Sequence, residues 1–355
     1  MDAVRSATRA AHATAARRPR AVPRDRRGRI RAACTATGRV VVTRQLHVVA
    51  PGLLTTVQDR GRSGWRHLGV AHAGALDVDA ARIANRLVGN DGDAAVLEFT
   101  LRGPTLRLDA PSRIAIVGAS PIARFEGETV PSGRPVELPA GTLELGALRG
   151  GARAWLAIDG GINVEPVLGS RSTDLRGGFG GLDGRALCAG DVLPLGMGSA
   201  RQVDTPQAPT WWIDPAHDTH LPIRYAPGAH AAASALARRR WTISASSNRQ
   251  GLRLQGDALP APGGDGVSEP VAPGTIQLPA DGCPIVLLAD AQTVGGYAKL
   301  GHVIAADLPR LAQCVPGQPL HFAPVDAATA HRLACAARVR IARIGVMIDA
   351  RLPAI

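Results

Sequence analysis

Residues 284–307 read PIVLLADAQTVGGYAKLGHVIAAD. The apolar run 285–289 is long enough for one buried strand, and 303–306 forms a second. Between them lie Asp290, Ala291, Gln292 and Thr293, followed by Gly295, Gly296, Tyr297 and Lys299. Two apolar runs about a Gly-Gly corner predict a hairpin-like turn. Glycine at such a corner permits positive φ or lets another group approach closely.

Composition singles out the same stretch. The chain has 41 Lys+Arg, and Lys299 is its one lysine. Lysine offers a compact ammonium whose pKa can shift, which arginine lacks; an ordinary surface lysine is the plainer alternative. Tyr297, one of only two tyrosines, stands two residues away.

Outward from this corner, the whole chain reads as mainly β. A length of 355 residues suggests two domains. Hydrophobic residues make up 45%, ample for buried cores, and the 41 glycines and 27 prolines imply many turns and short strands. Candidate strands fall at 96–99, 105–108, 113–117, 135–138, 142–145, 154–158 and 191–195, most separated by glycine or proline. An antiparallel barrel or sandwich is the natural outcome. A convincing helix lies within 75–87, with Asp77 as N-cap and Gly89 as its stop. The polar, proline-bearing segment 199–222 marks a boundary, after which strands at 240–244, 252–254 and 274–278 repeat the style of the first half. An Ala-rich segment, 327–337, is helix-like. The expected layout is an Arg/Ala-rich disordered extension over 1–44, a first β-domain over 45–200, a linker over 201–222 and a second β-domain over 223–355.

Charge excludes one class of partner. Residues 1–44 hold twelve arginines against Asp2 and Asp25, a charge of +10, so 45–355 carry only +2 of the chain's +12. A nearly neutral body does not predict nucleic-acid binding. No apolar run is long enough to span a membrane. The five cysteines (34, 188, 283, 314 and 335) form no CxxC pair, which fits a reducing cytoplasm. The nearest approach to metal-ligand spacing is the stretch 216–220, with His217, Asp218 and His220, and loop solvation explains it better.

Four loops carry candidate site residues. The first contains Gln58, Asp59, Arg60 and Arg62 in a glycine-punctuated run after a strand, where rigid scaffolds place sites. The second, GSRSTD over 169–174, packs Ser170, Arg171, Ser172, Thr173 and Asp174 together; such a loop can cradle an oxyanion or serve as a connector. The glycine-rich run 177–181 follows it. The third is SSNRQG over 246–251, with Arg249; the fourth is the corner itself, and Gln277 stands between apolar neighbours in the alternating strand 274–278. No GxxxxGK[ST] or GxGxxG motif is present.

The segments PGLLTTVQDRGRSGW, GALDVDAARIANRLVGN, LEFTLRGP, GSRSTDL, SNRQGLRL and GTIQLPADGCPIVLLADAQTVGGYAKLGHVIAADLPRLAQCVPG, in this order between residues 46 and 325, resemble the allophanate hydrolase subunit 2 or KipA family. That family is also called the biotin-dependent carboxyltransferase family, and the nearest branch is that of the 5-oxoprolinase C subunits. The resemblance implies two cyclophilin-like β-barrel domains. It also implies a cytoplasmic complex with two partner subunits, KipI-like and LamB/YcsF-like, that uses ATP to hydrolyse 5-oxo-L-proline to L-glutamate. Phosphorylating the lactam oxygen would turn a poor electrophile into one that opens readily. Such chemistry needs cations and donors for developing charge and acids or bases to manage water. Lys299, Tyr297, Asp59 and Asp290 are then the candidate catalytic groups. Gln58, Arg62, Ser170, Arg171, Ser172, Thr173, Asp174, Arg249, Gln277, Gln292, Thr293, Gly295 and Gly296 are the candidate substrate-binding groups, and ATP is bound here or on a partner subunit.

Three places depart from the family pattern: Ala73 where a serine is usual, the run 227–230, and Asp159 where a small residue is usual. Two other readings stand beside the hydrolase. One is the carboxyltransferase component of a urea carboxylase-like system, although no biotin-attachment motif surrounds Lys299. The other is a regulatory subunit that binds a kinase-inhibitor partner.

Overall fold

Glycines expected to end strands lie inside two of them. The computed structural model describes residues 44–214, 221–260 and 267–352. In it Ser112–Phe125 and Gly141–Ile158 run for 14 and 18 residues, and the expected strands 142–145 and 154–158 are the two ends of the longer one. They pair antiparallel from Ile114 against Ile158 to Phe125 against Leu143, with register shifts after Gly118 and after Pro121. Such shifts bend a strand and raise its twist, so this pair curls instead of breaking. At Gly118 φ is +107°, and a Cβ there would lie 2.7 Å from the Arg153 carbonyl and 2.8 Å from the Trp155 ring. Only glycine fits that bend.

Around this pair the first half builds a nine-stranded sheet. Leu54–Gln58 pairs with Val96–Thr100, which pairs with one end of Gly141–Ile158. The other end pairs with Thr105–Leu108, then Gln45–Ala50 and Val192–Pro194. The curled sheet encloses a core that includes Leu46, Leu97, Phe99, Leu106, Ile114 and Leu156, all at most 1% exposed. The second half is an eight-stranded sheet in the order Pro319–Leu320, Trp241–Ile243, Gly251–Gln255, Ile285–Leu287, Thr275–Leu278, Ala298–Val303, Ile223–Pro227, Phe322–Pro324. Its core holds Tyr225 edge-on to Phe322, with ring centroids 5.8 Å apart, and Trp241. The fold is mainly β, as the turn-rich composition predicts.

The corner at 284–307 is not a hairpin. Ile285–Leu287 and Ala298–Val303 do not pair with each other; both pair with Thr275–Leu278, which lies between them. The expected second strand, 303–306, is not one: the strand ends at Val303 and a 3-10 turn follows over Ala305–Asp307. The loop joining Ile285–Leu287 to Ala298–Val303 is free to cross over, and part of it, Val294–Gly295, forms a separate ribbon with Glu269–Pro270.

Helix Val78–Val88 starts on Asp77, whose side chain accepts from the Ala80 N–H at 2.9 Å, and stops at Gly89 with φ +83°. The C-terminal helix runs over Ala327–Asp349, well past the expected 337, because nothing after that point breaks it. Its Ile344 and Ile348 pack with the first helix and with Val117 and Trp155 of the first sheet. Arg44, placed by its sequence in the extension, is part of the folded body: its guanidinium pairs with Asp159 at 2.6 Å. Asp159 also accepts from the Arg113, Ser199 and Ala200 N–H groups, so a carboxylate at this unusual position ties three segments together. Residues 1–43 and the stretch 216–220 lie outside the described residues. Among the described residues no three His, Cys, Asp or Glu gather as a metal would require, and no helix is long and apolar enough to cross a membrane.

Candidate functional site

A lone acid in an apolar strand begins the site. Glu98 lies between Leu97 and Phe99 and is 2% exposed. Its Oε2 accepts from the Leu76 N–H at 2.8 Å and the Trp155 indole at 3.0 Å. Its Oε1 receives the Arg249 guanidinium from the other half of the molecule. Arg249, itself 3% exposed, also grips Asp290 with two bonds of 2.9 and 3.0 Å and donates to the Gly74 carbonyl at 2.6 Å. Burial opposes the charge on Arg249, but Asp290 and Glu98 outweigh it and hold its pKa above the ordinary value. Burial raises the Asp290 carboxyl above the usual carboxylate range, against the pull of Arg249. Both Asp290 oxygens are occupied by Arg249. The trio is thus a buried clamp between the two sheets, and removing its cation would strip Asp290 of its partner and leave Glu98 with Arg153 at 3.9 Å.

Asp59 organises a second cluster on the first sheet. Its Oδ1 accepts from the Gly61 N–H and from the hydroxyls of Ser170 and Ser172, at 2.8, 2.6 and 2.6 Å. Its Oδ2 accepts from the Arg171 N–H at 2.6 Å. The hydroxyls of 170–174 therefore turn inward onto Asp59, and Thr173 turns onto the Val57 carbonyl. This loop is a brace, neither an open anion cradle nor a loose connector. The Gln58 amide joins it through Thr56 and Thr173. Arg171 donates to Val164 and Asn163. Arg62 donates to the carbonyls of Val167 and Ser172 and stacks 4.7 Å above the Phe179 ring. Burial lowers the Arg62 pKa, with Asp174, Asp59 and Asp290 opposing that shift.

The brace sets one wall of a cleft. Asp174 accepts from the Arg176 and Gly177 N–H groups at 3.1 and 2.8 Å, which fixes the glycine-rich turn carrying Phe179. That turn and residues 68–71 face Gln250, Gln292, Thr293 and Val294 across a cavity of about 730 Å³. Gln250 and Gln292 also open onto a smaller slot of about 100 Å³, lined by Asn248, Arg253, Gln277, Ile285, Leu287 and Tyr297. In it the Gln292 amide donates to Gln277 Oε1 at 3.4 Å. Gln277 Nε2 is buried and has no hydrogen-bond partner.

Of the sequence candidates, Asp174, Gln292 and Thr293 meet on the cleft, and Gln277 and Tyr297 line the slot. Gly295 does not need positive φ; it gives room, since a Cβ there would lie 2.7 Å from Gln277 Nε2. Gly296 follows it out of the ribbon, half-buried. Gln58, Asp59, Arg62, Ser170, Arg171, Ser172 and Thr173 form the brace, and Arg249 and Asp290 form the clamp. Lys299 belongs to neither. Its ammonium binds Glu269 at 2.6 Å and the Pro270 carbonyl at 2.9 Å, on the two-stranded ribbon. Glu98, Arg176, Phe179, Asn248, Gln250 and Arg253 are further residues of the clamp, cleft and slot. The signal for Glu98 is a charge in a strand with no polar face; the others sit in loops already marked by glycine and polar residues.

The cleft lining is rich in amides and poor in free charge. Arg176 is the one cation on the larger cavity among the described residues, and Arg253 the one on the slot. Such a lining orients a small polar, planar ligand by hydrogen bonds. It does not fit a triphosphate, which needs several cations or a run of free N–H groups.

Comparison with known proteins gives a consistent grouping. The profile of the carboxyltransferase domain, subdomain A and B, matches residues 68–324. The C subunit of 5-oxoprolinase from Escherichia coli is 42% identical over 286 residues, covering 78% of this chain and 90% of that protein. The urea amidolyase of Saccharomyces cerevisiae is 32% identical over 79% of this chain, which spans only 17% of that protein. The crystal structure of K. lactis urea amidolyase superposes with a TM-score of 0.73 at 30% identity, over 84% of this chain and 20% of that one.

Proposed function

From the premise that the chain belongs to the carboxyltransferase-domain family, we propose that it is one subunit of an ATP-dependent 5-oxoprolinase complex that hydrolyses 5-oxo-L-proline to L-glutamate. The observation that carries this reading is the 42% identity to a 5-oxoprolinase subunit over 90% of that protein's length. The cleft supports it. The amide groups of Gln250 and Gln292, which border both the cleft and the slot, suit a lactam that bears a carboxylate. The brace and the clamp keep the walls in register. ATP is assigned to a partner subunit, because the cleft of this chain does not fit a triphosphate. Two partners, KipI-like and LamB/YcsF-like, complete the proposed cytoplasmic complex.

The second reading is a carboxyltransferase component, favoured by the likeness to the urea amidolyases. On that reading the biotin arrives on another protein, since no biotin-attachment motif surrounds Lys299, the one lysine of the chain. One pair of assays separates the two: ATP-dependent glutamate release from 5-oxoproline, and carboxyl transfer between carboxybiotin and urea, each with the chain alone and with candidate partners. The hydrolase reading predicts glutamate release in the mixture and none from the chain alone. Carboxyl transfer without glutamate release would replace it with the second reading.

A further inference from the structure

Of the eight buried side-chain polar atoms without a partner among the described residues, the Gln277 donor is the one whose residue lines the cleft or the slot. Gln277 lies on the central strand Thr275–Leu278 and is 1% exposed. A buried amide N–H without a partner costs roughly 1–3 kcal/mol, and native structures rarely keep one. Here the surroundings preserve it. Gln292 holds Oε1 through the 3.4 Å contact. Gly295 keeps free the space that a Cβ would take 2.7 Å from Nε2. The slot of about 100 Å³ beside it has apolar walls in Ile285 and Leu287 and an exposed cation in Arg253. This is room for a single small ring, well below the ~300 Å³ of a drug-sized pocket.

We propose that this slot binds the cis-amide edge of a five-membered ring, read by the side-chain amide of Gln277, with Arg253 facing a carboxylate on the ring. A five-membered lactam is locked with its N–H and C=O on one edge. A primary amide presents the complementary pair, one donor and one acceptor. Gln277 Nε2 donates to the ring carbonyl, and Oε1 accepts the ring N–H. The ureido ring of a biotin-like group shows the same edge but has no carboxylate attached next to the ring nitrogen. The identification of the ring as 5-oxoproline therefore rests on the proposed function, while the slot itself does not.

Calorimetric titration of the full chain tests it with three probes: 5-oxo-L-proline, its N-methyl derivative and imidazolidin-2-one. The expected result is binding of 5-oxoproline, weakened at least ~10-fold by N-methylation, the scale of one lost hydrogen bond to a charged or well-placed group. Gln277→Leu and the size-conserving Gln277→Glu are expected to lose binding equally, with circular dichroism unchanged. Arg253→Gln is expected to weaken 5-oxoproline and leave imidazolidin-2-one unaffected. Tighter binding of imidazolidin-2-one, lost in Gln277→Glu and indifferent to Arg253→Gln, would support the slot and overturn the 5-oxoproline reading. Unchanged affinity in a folded Gln277→Glu, equal binding of the N-methyl ring, or no binding of any probe at millimolar concentration would overturn the slot.

Discussion

Asp59 shows how little a residue's type reveals of its work. The carboxylate, two serines and an arginine nearby in sequence resemble catalytic equipment, and the fold does bring them together. Yet all four hydrogen bonds to Asp59 come from its own scaffold. Asp59→Asn keeps the shape but replaces an acceptor oxygen by a donor that faces other donors. The expected loss is about 2–3 kcal/mol of stability, measured by urea denaturation. The identity of these residues is legible in the sequence, but the direction of their hydroxyls is not, because it is set by a partner more than 100 positions away. Lys299 makes the same point in reverse. Its rarity marks it, and its partner Glu269 is invisible to spacing.

At the level of elements, local signals are legible and long-range ones are not. The helix Val78–Val88 is written in Asp77, its apolar stripe and Gly89. Asp77→Ala is expected to cost about 1 kcal/mol through loss of the N-cap, read as a shift in the thermal midpoint. The long strands escape a reading by turns because Gly146, Gly150 and Gly151 look like turns in sequence and lie inside Gly141–Ile158. A glycine in a strand marks a bend as readily as an end. The corner at 284–307 fails as a hairpin for a related reason. Ile285–Leu287 and Ala298–Val303 each pair with Thr275–Leu278 lying between them, while the second apolar run, 303–306, leaves the sheet after Val303; periodicity carries no record of which strand lies beside which.

Across the whole molecule, the two sheets are joined by charge as well as by apolar contact. Glu98 and Asp290 meet on Arg249, and this junction aligns the walls of the cleft. The second core also contains Cys314, whose thiol burial pushes up to about 11 from 9.0. A raised thiol pKa means that the folded state keeps a proton the unfolded state releases. The contribution is present below pH ~9 and is lost as pH rises through ~11, at most about 2–3 kcal/mol. Stability measured by denaturation should therefore fall over that alkaline window. In the native protein a maleimide should label exposed Cys188 and Cys335 and spare Cys314. Equal native reactivity at Cys314 would contradict the packing described.

Whether substrate sits between the sheets, in the cleft and the slot that shares Gln250 and Gln292 with it, is tested most directly by glutamate release from 5-oxoproline by the chain mixed with its partner subunits and ATP. Arg176→Gln and Gln292→Leu change opposite walls of that cleft, and neither residue is part of a core. Each variant is expected still to assemble with the partners and to lose at least ~10-fold in kcat/KM, or about 1.4 kcal/mol of transition-state stabilisation. Full activity from both variants in intact complexes would contradict this expectation and place the chemistry elsewhere.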